Sequence, residues 1–483
     1  MTLRVLDWNK SKDGIRATLG IENGTGSIIR DKVLLGSALS RKKFIEKCPN
    51  ENPTDMDPVL MSLDDLLRAK WSKSQNPDIP TEAPPPSLSV EEEQEALHLL
   101  QNPRILEELL DAADRLGFAG DENNKVLLFL AYTSRLIDSP LNVTIKGESS
   151  SGKSHEMEVM SEFMPPESVI KLSGASAKAL FYTARSLKHK LMLIAERPGA
   201  EDSDYSIRTM QSEKKIVFWV PQKGDNGRIK TEEITVEGPA CFVETTTKTH
   251  LHPENETRTF DIYVDESEQH TIKVFEAQDR RFTNPIHPEI RTRTLKRWQN
   301  AQRLLKPYPV LIEFARQIPF PTKPLRVRRD RPKFMALIEA SALLHQYQRT
   351  TKSINDTTYL VATIEDYAIA RELALPILKN VLKGTTPKCV ELVEEARKLS
   401  DDQLEITKKS LEDTLKWDRK TVSKYLKEAL ARGCLEVSDV GGKGRGNSAK
   451  YDFIQPVSDV DVPLPSPDDF KALLNDVTSL GAP

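Results

Sequence analysis

The sequence predicts an α/β protein whose central parallel sheet carries a phosphate-binding loop, and three observations predict it. Residues 147–154 are Gly-Glu-Ser-Ser-Ser-Gly-Lys-Ser, the complete pattern G-x-x-x-x-G-K-[ST]. An apolar strand, Leu141–Ile145, enters this loop, and a helical segment, His155–Phe163, leaves it. Strand and helix patterns then alternate along the chain, as a parallel sheet requires.

Residues 1–71 predict a small N-terminal α+β domain, with turn residues between two alternating strands and two helices following them. The strands are Thr2–Trp8 and Gly14–Ile21, and the helices are Ala38–Lys47 and Leu60–Trp71. Residues 72–90 contain five prolines in a polar setting. This composition is typical of a linker.

Residues 91–285 form the predicted core domain. Helical patterns at Glu91–Gln101, Arg104–Leu116 and Asn123–Ile137 lead into the loop strand. After the loop we expect strands at Val169–Leu172, Lys190–Ala195 and Pro239–Glu244, and a helix at Ala177–Arg185. Leu191–Ala195 is continuously apolar, as expected for a strand of a sheet whose two faces are covered.

The loop predicts a nucleotide site for ATP or GTP, of which ATP is preferred, together with Mg²⁺. Gly147 and Gly152 let the backbone N–H groups wrap a phosphate, Lys153 reaches the outer phosphates, and the Ser154 hydroxyl is the predicted Mg²⁺ ligand. The predicted nucleotide-binding set is Gly147, Glu148, Ser149, Ser150, Ser151, Gly152, Lys153 and Ser154.

Catalysis needs a base that positions water, and Glu196 directly follows a buried strand. The usual Asp before this Glu is Ala195 here, so Mg²⁺ support is in doubt, and Glu201, Asp202 or Asp204 are candidate substitutes. At the end of the next core strand stand Thr245, Thr246 and Thr247. Thr246 is the predicted polar contact to the outer phosphate, although β-propensity alone explains such a run nearly as well.

A β-hairpin is predicted between these two core strands, because Asn226-Gly227 separates the alternating segments Ile216–Val220 and Glu233–Val236. Basic residues lie at its base and near its tip, and those near the tip suit phosphate contacts on a single strand of DNA. They are Lys214 and Lys215 at the base and Lys223, Arg228 and Lys230 near the tip. A solvated, charged hairpin is the alternative.

Residues 286–385 are predicted as a helical linker and lid, and residues 386–455 as a winged helix followed by a flexible acidic tail, 456–483. The winged-helix order is given by helices Cys389–Leu399, Ser410–Trp417 and Arg419–Arg432, then strands Leu435–Val440 and Lys450–Ile454. Predicted DNA contacts are Arg419, Lys420, Lys424 and Lys427 on the third helix and Lys443, Arg445 and Lys450 in the wing. The domain holds 14 basic and 13 acidic side chains, so a protein-binding winged helix stays open.

Composition excludes several classes of protein. The 483 residues carry a formal net charge of −3, although residues 280–333 hold 15 Lys and Arg against three acids. Cys48, Cys241, Cys389 and Cys434 lie far apart without C-x-x-C spacing, which argues against a zinc site or disulfide framework. There is no secretory signal pattern and no long apolar run, so a soluble cytoplasmic protein without membrane contact is expected.

In order along the chain, these motifs resemble an AAA+ ATPase of the clade with an inserted pre-sensor β-hairpin. More narrowly, they resemble the MCM-like replicative helicases of prophages, plasmids and mobile cassettes. The likeness rests on Lys188–Gly199, Thr245–Arg258, with Asn-Glu-Thr-Arg-Thr-Phe-Asp at 255–261, and Arg331–Gln346. It implies a ring, usually a hexamer, with single-stranded DNA in its pore. It also implies that Arg258 is an arginine finger and Arg331 a second sensor, with Arg329 as the competing candidate.

The sequence therefore predicts an ATP-driven DNA helicase or translocase that replicates a mobile element. No primase motif is recognisable, so priming would come from a separate primase or initiator partner. Two alternatives remain: an AAA+ DNA-binding regulator that remodels a protein partner, and a structural DNA-binding protein with a weak ATPase.

Overall fold

The computed structural model describes residues 2–11, 14–22, 28–48, 53–75, 86–173, 186–195, 201–223, 229–248, 253–440, 449–457 and 462–479. The chain divides into two compact units, Met1–Pro84 and Pro85–Pro483. Among the described residues, no helix is both long enough and apolar enough to cross a bilayer.

The first unit packs two helices on a three-stranded antiparallel sheet in the order β1-β2-β3. Its elements are β1 (Thr2–Ser11), β2 (Gly14–Glu22), β3 (Ile28–Leu34), α1 (Ala38–Ile45) and α2 (Pro53–Gln75). Ile15, Ala17 and Leu19 alternate along β2 and are fully buried, so one face of the sheet forms the core with Phe44 and Leu60. The sequence prediction missed β3.

The core of the second unit is a five-stranded, fully parallel sheet in the order β10-β4-β9-β6-β5. The strands are β4 (Val143–Lys146), β5 (Val169–Ser173), β6 (Lys190–Ala195), β9 (Ala240–Thr246) and β10 (Phe260–Tyr263). Three helices precede it, namely α3 (Val90–Leu100), α4 (Ile105–Arg115) and α5 (Glu122–Thr133), and α6 (Lys153–Ser161) follows β4. The predicted helix at Ala177–Arg185 lies outside the described residues.

The predicted hairpin is present between β6 and β9, after helix α7 (Glu201–Glu213). It consists of β7 (Lys215–Lys223) and β8 (Ile229–Glu237), which pair antiparallel along their whole length. Its base is fixed to the core by backbone hydrogen bonds, from the Gly238 N–H to the Lys214 carbonyl and from the Leu187 N–H to the Glu237 carbonyl, both 2.8 Å. The turn, 224–228, lies outside the described residues.

Two helices, α8 (Pro253–Glu256) and α9 (Glu268–Thr283), precede residues 286–385. The segment 286–385, predicted as a helical linker and lid, contains α10 (Pro288–Leu304), α11 (Val327–Leu344) and α12 (Ile364–Lys383), and it also contains a small sheet. The added strands are β11 (Val310–Leu311), β12 (Thr351–Ile354) and β13 (Thr357–Val361). Asn355 and Asp356 have φ values of 47° and 62°, which makes the two-residue turn that a tight hairpin needs.

The C-terminal domain has its own apolar core, which includes Leu392, Leu411, Val422 and Leu426. Its elements run α13 (Pro387–Asp401), β14 (Ile406–Thr407), α14 (Lys408–Leu415), α15 (Arg419–Ala431), β15 (Leu435–Asp439) and β16 (Lys450–Phe453). The sheet order is β14-β16-β15. Thr386, Thr407 and Asp418 cap the three helices through their side-chain oxygens.

The expectation of a flexible acidic tail is wrong. Residues 462–470 pack on the second unit, and α16 (Pro467–Ser479) begins there. The Phe470 ring is fully buried, and its centroid lies 4.4 Å from that of Tyr367. Val462, Leu464 and Phe470 supply enough apolar surface to dock a segment whose average composition is polar.

Candidate nucleotide-binding site

The phosphate loop lies at the carboxyl end of β4, between β10 and β9, where parallel α/β sheets bind ligands. Gly152 has a φ of 92°, and a Cβ atom there would have no neighbour within 4 Å, so this glycine serves the backbone conformation. Lys153 is 6% exposed, and its Nζ donates to the Glu148 carbonyl oxygen at 2.5 Å. These features are those of a loop whose N–H groups turn inward around an anion.

Gly147 is closely surrounded, because a Cβ atom there would lie 2.6 Å from the Ser151 Oγ and 3.1 Å from a Glu266 carboxylate oxygen, so that these side chains would have to shift. The Ser151 Oγ is buried, and no hydrogen-bond partner for it occurs within the described part of the chain. A buried polar atom inside a phosphate loop fits a site that a nucleotide completes. Gly147–Ser154 would hold its phosphates, and Ser154 would hold Mg²⁺.

The loop opens into a cavity of about 1580 Å³. One wall is the segment 117–121, another is helix α9, and a third comes from α13, α14 and α15 of the C-terminal domain. The cavity exceeds the usual volume of a small-ligand pocket, roughly 300–1,000 Å³. A nucleoside triphosphate therefore fits, with the C-terminal domain as part of its surroundings.

Glu266 lies on the loop, because the backbone N–H of Glu148 donates to its Oε1 at 2.6 Å. The other carboxylate oxygen of Glu266 pairs with Lys388 of α13. The Glu148 carboxylate in turn pairs with Lys424 of α15 at 2.8 Å. Two ion pairs, linked by the hydrogen bond from the Glu148 N–H to Glu266, thus join the loop to the C-terminal domain.

Glu156 lies behind the loop on α6 and is 8% exposed. Burial, reinforced by the charge of Asp121, raises the pKa of this carboxyl to about 7, and Lys125 offsets the effect only in part. The group is therefore substantially protonated near neutral pH.

The predicted catalytic residues at the strand ends are partly described. Glu196 lies outside the described residues, so its role as the base stays a prediction, as do the side chains of Glu201, Asp202 and Asp204. Thr246 pairs in register with Lys146, which places it at the loop edge of the sheet. Its hydroxyl accepts the Lys248 N–H at 3.1 Å, while the next residues, Thr247 and Lys248, line the cavity.

Arg258 lies near the amino ends of the parallel strands, whereas the phosphate loop follows the carboxyl end of β4. Arg258 comes two residues before β10, whose first residue, Phe260, pairs with the first residue of β4. Its guanidinium donates to the Ser212 hydroxyl. Burial, then the charges of Arg329 and Arg208, lower its pKa, so three guanidinium groups lie close together here. We call Arg208, Arg258 and Arg329 the arginine cluster.

The two candidates for a second sensor differ in their contacts. Arg329 donates to the Thr257 hydroxyl and belongs to the arginine cluster. Arg331 donates to the Ala315 carbonyl oxygen at 2.9 Å. Neither of them lines the cavity around the loop, and neither does Arg258.

The predicted DNA contacts are spread over two elements. Lys223 and Lys230 lie at the far end of the hairpin strands, and Arg228, Lys443 and Arg445 fall outside the described residues. Arg419 and Lys420 are exposed at the start of α15. Lys450 pairs with Glu405, and Lys424 faces the nucleotide cavity.

Sequence reasoning missed the residues that the C-terminal domain and α9 bring to the site. These are Glu266, Arg281, Lys388, Trp417 and Tyr425, all of which line the cavity. They belong to no motif, and Glu148 and Glu266 are 118 positions apart in the chain.

Comparison with known proteins supports the core. A family model described as "MTBMA_p00010 P-loop domain" matches residues 88–217. No curated protein matches the chain. Among solved structures, the ORC1 protein of Aeropyrum pernix in complex with DNA is 12% identical, with a TM-score of 0.22, over 80% of this chain and 98% of that one. The apo C-terminal region of NrS-1 is also 12% identical, with a TM-score of 0.22, over 77% of each chain.

These two likenesses are too distant to carry an argument. The loop geometry, the parallel sheet and the matched P-loop domain agree with one another. The chain therefore contains a P-loop NTPase core, which implies nucleotide binding.

Proposed function

We propose that the protein is an AAA+ ATPase that assembles into a ring, most simply a hexamer, and that it moves DNA as a helicase or translocase. Replication of a mobile element is the proposed setting, with a separate primase or initiator as partner. The inserted hairpin between β6 and β9 and the arginine cluster support this proposal. The order of elements in the C-terminal domain fits a winged helix.

The observation that carries the proposal is the separation of the arginine cluster from the phosphate loop. The loop follows the last residue of β4, whereas Arg258 precedes the first residue of the neighbouring parallel strand. A four-residue strand, about 13 Å long, lies between the two ends. A guanidinium stabilises a transferring phosphoryl group only in direct contact with it. The nucleotide of an adjoining subunit is therefore the proposed target of Arg258.

In this arrangement each side chain has one role. Lys153 binds the outer phosphates, Ser154 holds Mg²⁺, Glu196 orients the attacking water, and Thr246 or its neighbour contacts the outer phosphate. Arg258 supplies the charge from the next subunit, with Arg329 beside it. Arg331, bound to a backbone carbonyl, is the weaker candidate for the second sensor.

The hairpin and the winged helix are the proposed DNA contacts. Lys223 and Lys230 lie at the end of the paired hairpin strands farthest from the sheet, which in a ring would project into the pore, and Arg228 stands between them in the sequence. Arg419 and Lys420 are exposed on the third helix of the winged helix, where they suit a duplex backbone.

Mixing two inactive variants tests the shared site. Arg258→Ala and Lys153→Ala should each lose ATP turnover, and their mixture should regain part of it. Some interfaces in a mixed ring combine an intact loop with an intact arginine. Steady-state phosphate release over a series of mixing ratios measures this. If mixed rings form, as mass measurement shows, and turnover stays absent at every ratio, Arg258 does not act across an interface.

A DNA-binding regulator that remodels a protein partner is the second candidate. It is favoured by the engagement of Lys424 with Glu148, which turns part of the third helix away from DNA. Such a regulator would turn over ATP and bind duplex without separating strands.

A further inference from the structure

The basic face of α15 is turned toward the phosphate loop of its own chain. Lys420, Lys424 and Lys427 follow one another at helical spacing, so they share one face of the helix. Lys420 and Lys427 are exposed, whereas Lys424 is half-buried and pairs with Glu148 at 2.8 Å. A duplex that lay along this face would meet Lys424, whose ammonium already pairs with the loop.

A second ion pair holds the same domain from its first helix. Lys388 of α13 pairs with Glu266, whose other oxygen accepts the N–H of Glu148 at 2.6 Å. The Lys388 Nζ also lies 5.4 Å from the centroid of the Trp417 ring. The side chains of Lys388 and Glu266 are only 26% and 17% exposed, so this pair is shielded better than a typical surface pair.

The connection between α12 and the C-terminal domain is short. Gly384 ends α12 in the left-handed conformation, with a φ of 63°, and its N–H bonds back into that helix. Thr386 belongs to the C-terminal domain, because both its N–H and its hydroxyl donate to Glu428 at 2.9 Å. Rotation about Thr385, which lies between Gly384 and Thr386, would move the C-terminal domain as one rigid body.

We propose that the chain Lys424–Glu148–Glu266–Lys388 is an autoinhibitory lock, which closes the winged helix over the nucleotide site and excludes duplex DNA from α15. Closed, the domain covers the loop and hides Lys424. Open, it exposes the basic face of α15 and one wall of the nucleotide cavity. Duplex binding and nucleotide release are therefore coupled through a single movement, and the coupling is reciprocal. The inference rests on the proposed DNA-binding role of the winged helix.

Lys388→Gln tests the lock, because it breaks one pair without changing any residue of the loop or of α15. Losing a cation normally weakens DNA binding. The lock predicts the opposite sign: duplex affinity without nucleotide rises about three- to fivefold, the range of one ion pair. Lys398→Gln is the matched control, since Lys398 lies on the same helix and pairs only locally with Glu395. It should bind duplex as the parent does or more weakly, by fluorescence anisotropy of a labelled duplex.

Glu266→Gln breaks the same pair from the other side and should also tighten duplex binding. A second readout is independent of DNA: release of a fluorescent ADP analogue, followed by stopped flow, should be faster in Lys388→Gln and unchanged in Lys398→Gln. If the parent binds duplex and Lys388→Gln behaves as Lys398→Gln in both assays, the lock is wrong while the proposed function stands. If the parent binds no duplex at all, the DNA-binding role fails and the lock fails with it.

Discussion

At the scale of single residues, Glu156 makes the stability of the folded protein depend on pH. Burial raises the pKa of the folded carboxyl to about 7, whereas the pKa of an exposed glutamate in the unfolded chain is about 4.5. Between these values the folded protein holds a proton that the unfolded chain has released, so this group lowers stability as the pH rises. The same burial that packs the helix behind the loop therefore costs stability at neutral and alkaline pH.

Glu156→Gln should remove this cost. We expect the free energy of unfolding at pH 8 to rise by up to about 3 kcal/mol and to change little at pH 5. Glu158→Gln, an exposed change on the same helix, should stay within about 0.5 kcal/mol of the parent at both values. Denaturant titrations at pH 5 and pH 8 measure both. An equal effect of Glu156→Gln at the two pH values would mean that Glu156 is already ionised in the folded protein.

At the scale of elements, the hairpin is the proposed contact to a single strand. Changing Lys223, Arg228 and Lys230 together to Ala should uncouple ATP turnover from DNA movement. Each lost phosphate contact should lower the salt slope of single-strand binding by roughly 0.7. Basal turnover should survive, because Lys223 and Lys230 lie at the end of the hairpin away from the sheet and Arg228 stands between them in the sequence. Lys215→Ala, at the base of the hairpin, is the control and should keep the parental slope.

How far the sequence predicts an element depends on how local its cause is. The strand Lys190–Ala195 was predicted to the residue, because an apolar run between polar ends needs no distant partner. The hairpin at Asn355-Asp356 was missed, since its positive φ values leave only a weak trace in composition. The two-residue strand β14 exists only because β16 pairs with it. The tail helix was missed because three apolar residues decide its docking.

The residues of the candidate site divide in the same way, into those that a local motif predicts and those that only distant contacts bring together. The loop was found because one contiguous motif encodes it. The ion pair between Lys424 and Glu148 joins residues 276 positions apart, and no pattern in a single sequence connects them. Reasoning from charge did place Lys424 on a basic helix face. What it could not supply was the surface that this face meets.

At the scale of the whole molecule, the proposed assembly is a ring whose nucleotide sites are completed by neighbouring subunits and whose hairpins hold a single strand of DNA. ATP turnover alone would not identify a helicase, because a regulator with a P-loop NTPase core would also hydrolyse ATP. Separation of strands distinguishes a motor on DNA from a regulator that remodels a protein. The central claim is therefore tested by unwinding.

Strand displacement on a forked duplex tests this claim most directly, with a fluorophore and a quencher on the two strands. The account predicts displacement with ATP and Mg²⁺, none with a non-hydrolysable analogue, and none with Lys153→Ala. A protein that turns over ATP and binds the fork, yet leaves the strands paired at every concentration tested, would contradict the helicase assignment and favour the regulator.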